Sequence, residues 1–170
     1  NKIDLLCKKS IKIKIKKKKI PFENWNLKWE RSFKPVHIDK NCVIRADFHK
    51  TYGKKHELII NPKMSFGTGH HETTFMMIKF ILKFNLKNKS ILDMGCGTGI
   101  LAILASKLGA KKIDAIDNNL LCIENTKENI LINKCKNINL FLDEKIDRKK
   151  SFYDVIFANN NLNVLFGEIP

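Results

Sequence analysis

Apolar and polar positions in this chain follow two different periods, and the change from one to the other marks its elements. From residue 90 onward short apolar runs trade places with helical spacing. The pattern predicts a strand at 90–93, a helix at 99–108, a strand at 112–117, a helix at 120–133, and strands at 138–142 and 153–158. Strand–helix–strand repetition with connections this short implies a parallel sheet and an α/β fold. Just upstream, Phe75, Ile78, Ile81 and Leu82 recur every three to four residues, which predicts an amphipathic helix from Glu72 to about Phe84. Residues 42–46 and 58–60 read as short strands.

The first third is patterned differently. IKIKIKKKKI, residues 11–20, alternates with period two before dissolving into lysines, the signature of an edge strand whose outer face is wet and whose cations block edge-to-edge pairing. A basic surface facing ribosomal RNA is the other reading of that run. Pro21 ends it, and NWNLKWERSFKP then sets Trp25, Trp29 and Phe33 four residues apart, which predicts one aromatic stripe packed on a helix. His37, His49 and His56 fall around the short strands without metal-ligand spacing and are expected to be surface or packing residues. The main boundary is placed between residues 48 and 61.

Composition narrows the class. At 170 residues the chain suits one principal domain with an appendage. No window approaches about 18 consecutive apolar residues, and the start, NKIDLLCKKS, has no export-signal pattern, so a cytoplasmic protein without a membrane partner is expected. Five scattered cysteines with no CxxC pair suggest neither a disulfide framework nor a zinc site, and fit a reducing compartment. The net charge of +15 invites an RNA partner. Yet there are 29 lysines against 3 arginines, and Lys, Ile and Asn make up 70 of the residues, so an AT-rich coding bias explains more of the charge than a designed polyanion site does.

The densest chemistry lies in ILDMGCGTGILAILASKLGA, residues 91–110, where glycines at every second position join a strand to an apolar helix. A P-loop needs four residues between its glycines and then Lys-Ser or Lys-Thr, whereas Gly99 is followed by Ile100 and Leu101. A dinucleotide fold needs GxGxxG, and here the third glycine arrives one residue early. DMGCGTG instead closely resembles the D/E-x-G-x-G-x-G turn of class I S-adenosylmethionine-dependent methyltransferases. Their cofactor carries a cationic amino-acid arm and no pyrophosphate, so a carboxylate such as Asp93 belongs at the strand end. Asp117 closes the next strand 24 residues later, where an acidic side chain can accept both hydroxyls of a ribose, or merely cap the next helix as Asn118 and Asn119 could. Cys96 is read as a small packing residue rather than a nucleophile.

A second motif lies upstream. NPKMSFGTGHHETTFMMI, residues 61–78, combines a glycine turn bearing an aromatic with a threonine pair at a helix start. With the turn, the NWNLKWERSFKP segment and FANNNLNVL at 157–165, it resembles the methyltransferase family that modifies large-subunit ribosomal protein L-eleven. The match runs from residue 24 to residue 170. That resemblance implies a Rossmann-like class I methyltransferase with a parallel-sheet core, preceded by the remnant of a small α+β domain. It divides the chain into an N-terminal recognition remnant at 1–23, a linker with the start of the catalytic region at 24–60, and a cofactor-binding domain at 61–170. Only four sheet strands are identifiable where this fold class normally has seven, so truncation after the fourth is expected.

The resemblance also implies S-adenosyl-L-methionine as cofactor, held by Thr74, Gly95, Gly97, Asp117 and Asn159. The acceptors it implies are lysine and N-terminal amines of protein L-eleven. Asn159 is expected nearest the acceptor, with a weaker role for Asn160; no covalent catalytic residue and no metal is required. Two departures stand out: Glu72 replaces the family's usual proline, and Asn160 replaces the isoleucine of its Ala-Asn-Ile motif. A monomer with weak ribosomal RNA contact is expected. The rival readings are a methyltransferase acting on RNA or another translation protein, and a non-catalytic basic module that binds RNA.

Overall fold

The structure, a computed structural model, describes residues 16–17, 32–63, 65–143 and 152–160. Two sheets share one core. The smaller contains β1 (Val36–His37), β2 (Cys42–Arg45) and β3 (His56–Ile59) in that order, with β1 antiparallel and β3 parallel to β2. Helix α1 (Glu72–Ile81) then leads to β4 (Ser90–Met94), α2 (Ile100–Lys107), β5 (Lys112–Asp117), α3 (Leu120–Ile132), β6 (Ile138–Leu142) and β7 (Val155–Ala158). The larger sheet is wholly parallel, in the order β6-β5-β4-β7.

That order matters for function. After β4 the chain steps outward to β5 and β6, then returns to the far side of β4 for β7. The strand order therefore reverses between β4 and β7, and open α/β sheets bind ligands in the crevice outside the carboxyl ends at such a point.

Helix α2 sits at the centre of the core. Ile100 to Ala105 are all buried because the sheet covers one side of the helix while β3, α1 and α3 cover the rest. An all-round apolar helix is the expected sequence for an element with no wet face. Ile44, Leu58 and Ile60 from the small sheet join Ile91, Ile103 and Ile113 in the same cluster.

The expected elements appear with modest shifts at their ends. Helix α1 stops at Ile81 because the amides of Lys83 and Phe84 turn to the oxygens of Phe80 and Ile81, a tightened last turn. Strand β7 begins at Val155 because Tyr153 and Asp154 turn their polar ends to Asp114 and to the Ser90 amide. Phe33 departs from the expected helical stripe: it lies outside any helix, buried between His49 and His70, whose rings stand 6.3 and 4.5 Å away. Trp25 and Trp29 lie outside the described residues, as does most of the run at 11–20. Its Lys16 and Lys17 are exposed and belong to no regular element.

Candidate functional site

The turn after β4 is built from backbone first. Gly95, Gly97 and Gly99 all have positive φ, of 65°, 57° and 76°, which is why this run alternates glycine with other residues. Gly95 and Gly97 are also needed for contact. A Cβ on Gly97 would collide with the carbonyl oxygen of Phe66, and one on Gly95 with the side-chain amide of Asn160. At those two positions, therefore, the space a side chain would fill is taken by the protein itself rather than left for a ligand.

The turn's amides are used in the same way. The Cys96 N–H donates to Ile116 O at 2.9 Å, Thr98 N–H to Phe66 O at 2.9 Å and Gly99 N–H to Cys96 O at 2.8 Å, while Gly97 N–H donates to Asp117 Oδ2 at 2.9 Å. A phosphate nest needs such amides free and convergent. From Cys96 to Gly99 none is free, so these four amides do not form such a nest.

Two acids stand at the strand ends. Asp93, at the end of β4, is buried and accepts the Ala102 N–H at 3.1 Å, serving as the cap that Gly99 cannot provide to α2. Burial pushes its pKa up to about 7; the Ala102 hydrogen bond opposes the rise and the charge of Asp117 adds to it. Asp117, at the end of β5, takes the Gly97 amide on one oxygen and the Asn119 amide at 2.9 Å on the other. These bonds fix the carboxylate's orientation and leave each oxygen a further lone pair, the geometry a vicinal diol requires. The cap of α3 belongs to Asn119, whose Oδ1 accepts the Leu121 N–H, rather than to Asp117.

Across the switch point, Asn159 follows β7 and its Nδ2 donates to Thr74 Oγ1 at 3.2 Å, tying the end of β7 to the first turn of α1. Asn160 donates to Met94 O at 3.1 Å, tying the same end to β4. The structure thus gathers Thr74, Gly95, Gly97, Asp117 and Asn159 around the carboxyl ends of β4, β5 and β7. Residues 32–37 meet Thr68 and His70 at a separate cavity of about 620 Å³, which none of those five residues lines.

Burial pushes the Cys96 thiol well above its ordinary pKa, and its neighbour is the Thr126 hydroxyl, which suits packing and not nucleophilic attack. Among the described residues no group of three His, Cys, Asp or Glu side chains is placed to hold a metal ion. Also among them, no helix is long and apolar enough to cross a membrane.

The sequence reading missed the polar face of α3. Asn125, Thr126, Asn129 and Asn133 are buried while Leu120, Leu121 and Leu131 point outward, the last 68% exposed. Asparagines recurring every fourth residue were the available signal.

Comparison with known proteins settles the family. A profile of the ribosomal protein L11 methyltransferase (PrmA) family matches residues 1–167. This chain belongs to that family. It is 48% identical over 151 residues to the ribosomal protein L11 methyltransferase of Phocaeicola vulgatus, covering 87% of this chain and 54% of that relative. Over 152 residues it is 46% identical to the one from Porphyromonas gingivalis, covering 88% and 52%. A crystal structure of a ribosomal protein L11 methylase from Lactobacillus delbrueckii subsp. bulgaricus superposes with a TM-score of 0.69 at 26% identity, covering 79% of this chain and 70% of that one. The chain thus spans about half the length of the curated relatives it matches. Its Rossmann-like parallel core agrees with the family's fold.

Proposed function

We propose that the full-length protein transfers methyl groups from S-adenosyl-L-methionine to lysine and N-terminal amines of ribosomal protein L11, in the cytoplasm. The observation that carries this reading is the turn whose amides from Cys96 to Gly99 are all bonded within the protein, set beside an oriented acid at the end of the next strand. That combination supports a nucleoside over a pyrophosphate, because the acid can take ribose hydroxyls while these four amides offer no phosphate nest.

When bound, the cofactor supplies an activated methyl group on a sulfonium. In this reading Asp117 holds the ribose hydroxyls, the buried Asp93 lends negative charge near the cationic amino-acid arm, and Thr74, Gly95 and Gly97 shape the walls. The chain's remaining tasks are alignment, exclusion of water and presentation of a neutral amine. For a lysine the neutral form at pH 7 lies roughly 4.6 kcal/mol uphill, so desolvation of the acceptor is part of catalysis. The Asn159 side-chain amide has its NH2 directed to Thr74, which leaves its oxygen to accept a hydrogen bond from the amine and aim the lone pair.

The test is incubation of the full-length protein with methyl-labelled cofactor and separated large-subunit components. Label in protein L11 alone supports the proposal. Label in RNA or in another protein replaces it, and cofactor-independent RNA binding with steep salt dependence points to a non-catalytic role.

A further inference from the structure

The chain at 61–63 and 65–71 crosses the glycine turn as a strap. Thr98 lies beneath it, and its N–H donates to Phe66 O at 2.9 Å while its hydroxyl donates to Gly67 O at 2.6 Å. The strap then runs into α1, where Thr74 is buried. Any displacement of the strap therefore moves both the roof of the turn and the hydroxyl that Asn159 engages.

What sets the strap's height is the inward face of α3. Asn133 Oδ1 accepts the Ile59 N–H at 3.0 Å and its Nδ2 donates to Ile59 O at 2.6 Å, so one side chain pairs with the backbone as a neighbouring strand would. One turn earlier, Asn129 Oδ1 accepts the Asn61 N–H at 3.0 Å and its Nδ2 donates to Thr98 O at 2.9 Å. A further turn along, Thr126 donates its hydroxyl to Gly97 O at 2.7 Å. The helix thus grips β3, the start of the strap and the glycine turn in sequence. Asn129 alone holds two of them at once.

A helix facing an apolar core would bury its leucines, and α3 instead turns Leu120, Leu121 and Leu131 outward. Burying asparagines is favourable only where each amide finds partners, since a buried polar group left unpaired costs about 1–3 kcal/mol. The Asn129 and Asn133 amides find them in backbone atoms of the strap, β3 and the turn, so the face is built to fit those segments.

We infer that Asn129, supported by Asn133 and Thr98, is a positioning residue that fixes the strap over the glycine turn and thereby sets affinity for the adenosyl cofactor. The inference rests on the cofactor reading above. Asn129 acts through Thr98 and Asn61 and makes no contact with the ligand itself.

The experiment compares the full-length protein with Asn129→Ala and with Asn137→Ala. Asn137 is a control of the same type at the opposite end of the sheet, where its Nδ2 donates to Ala110 O and its Oδ1 accepts from Ser106. Each is titrated with S-adenosylhomocysteine well below its melting temperature, and hydrogen exchange is followed in peptides covering 58–68 and 95–100. The expected result is affinity at least ~10-fold weaker for Asn129→Ala, with faster exchange in both peptides, and wild-type affinity for Asn137→Ala despite a similar loss of thermal stability. Should Asn129→Ala not fold, Thr98→Val is expected to show the same weakening and Thr98→Ser to restore wild-type binding. Wild-type affinity in a folded Asn129→Ala or Thr98→Val overturns the inference. Absence of binding by the wild-type protein overturns the cofactor reading instead.

Discussion

The two ends of the four-stranded sheet carry the same residue types and treat them in opposite ways. At the amino end, Asp154 accepts the Ser90 amide at 2.7 Å and Lys89 Nζ at 3.2 Å, and Asp114 collects Asn139 at 2.7 Å, Tyr153 at 2.8 Å and Lys112 at 2.8 Å. Hydrogen bonding outweighs desolvation at both: the Ser90 amide and Lys89 hold Asp154 below its ordinary pKa, and Asp114 is lowered against the upward push of burial by Lys112, Asn139 and Tyr153. At the carboxyl end, among the described residues, Asp93 has one hydrogen bond and its pKa is raised to about 7, while Asp117 is oriented by two backbone amides and no cation. Each amino-end acid meets a lysine, and among the described residues neither carboxyl-end acid does, which in the proposed reading leaves Asp93 and Asp117 to the cofactor.

The sharpest way to break this contrast is Asp117→Ala. It removes the carboxylate that the Gly97 and Asn119 amides hold, and with it the proposed diol acceptor, and should weaken S-adenosylhomocysteine binding by about 3 kcal/mol, roughly 150-fold in Kd. Calorimetry checks it, and wild-type affinity would take Asp117 out of the site.

Asp93→Asn should cut the other way on stability. Because the folded pKa lies above the unfolded value, the folded state holds a proton that the unfolded chain has released between about pH 4 and pH 7. This group's contribution to stability therefore falls as pH rises through that window and stays low above it. An asparagine can still accept the Ala102 amide, so the ligand-free variant should be about 2 kcal/mol more stable than wild type at pH 8, with no gain at pH 4. It should also bind the cationic cofactor more weakly, and wild-type affinity should strengthen as pH rises through 7. Thermal melts and titrations across pH 4–8 read both effects.

Asp114→Ala tests the amino end. It removes the acceptor that the Tyr153 hydroxyl and the Asn139 amide share, so a stability loss of about 1.5 kcal/mol with unchanged cofactor affinity is expected. The sign is opposite to that of Asp93. Since the folded Asp114 pKa lies below the unfolded value, its contribution is present above about pH 4 and is lost as pH falls through the folded value. The smallest effect belongs to the exposed Asp154: Asp154→Asn should lower the melting temperature less than Asp114→Ala and leave binding untouched.

Much of this contrast is legible in the amino-acid pattern itself. Asp93 and Asp117 stand out because short apolar runs lead into them, and a parallel sheet puts the ends of successive strands on one edge. The glycine spacing is legible too, but its reason is not. Gly95 and Gly97 invite a ligand reading, while their missing side chains make room for Asn160 and Phe66, contacts across more than 25 residues that no local pattern encodes. The inward face of α3 is illegible for a related reason. Hydrophobic periodicity assumes leucine inside, and tertiary partners for Asn129 and Asn133 at Asn61, Thr98 and Ile59 reverse that assumption. The parallel pairing of β2 with β3 likewise depends on sheet contacts rather than on the composition of either short strand.

The most direct measurement is a calorimetric titration of the full-length wild-type protein with S-adenosylhomocysteine alongside NADH. Saturable one-to-one binding of the first and no heat from the second are expected, because Asp117 is oriented as the proposed ribose acceptor and the turn's amides from Cys96 to Gly99 are all bonded within the protein. Binding of NADH with silence from S-adenosylhomocysteine would contradict that claim.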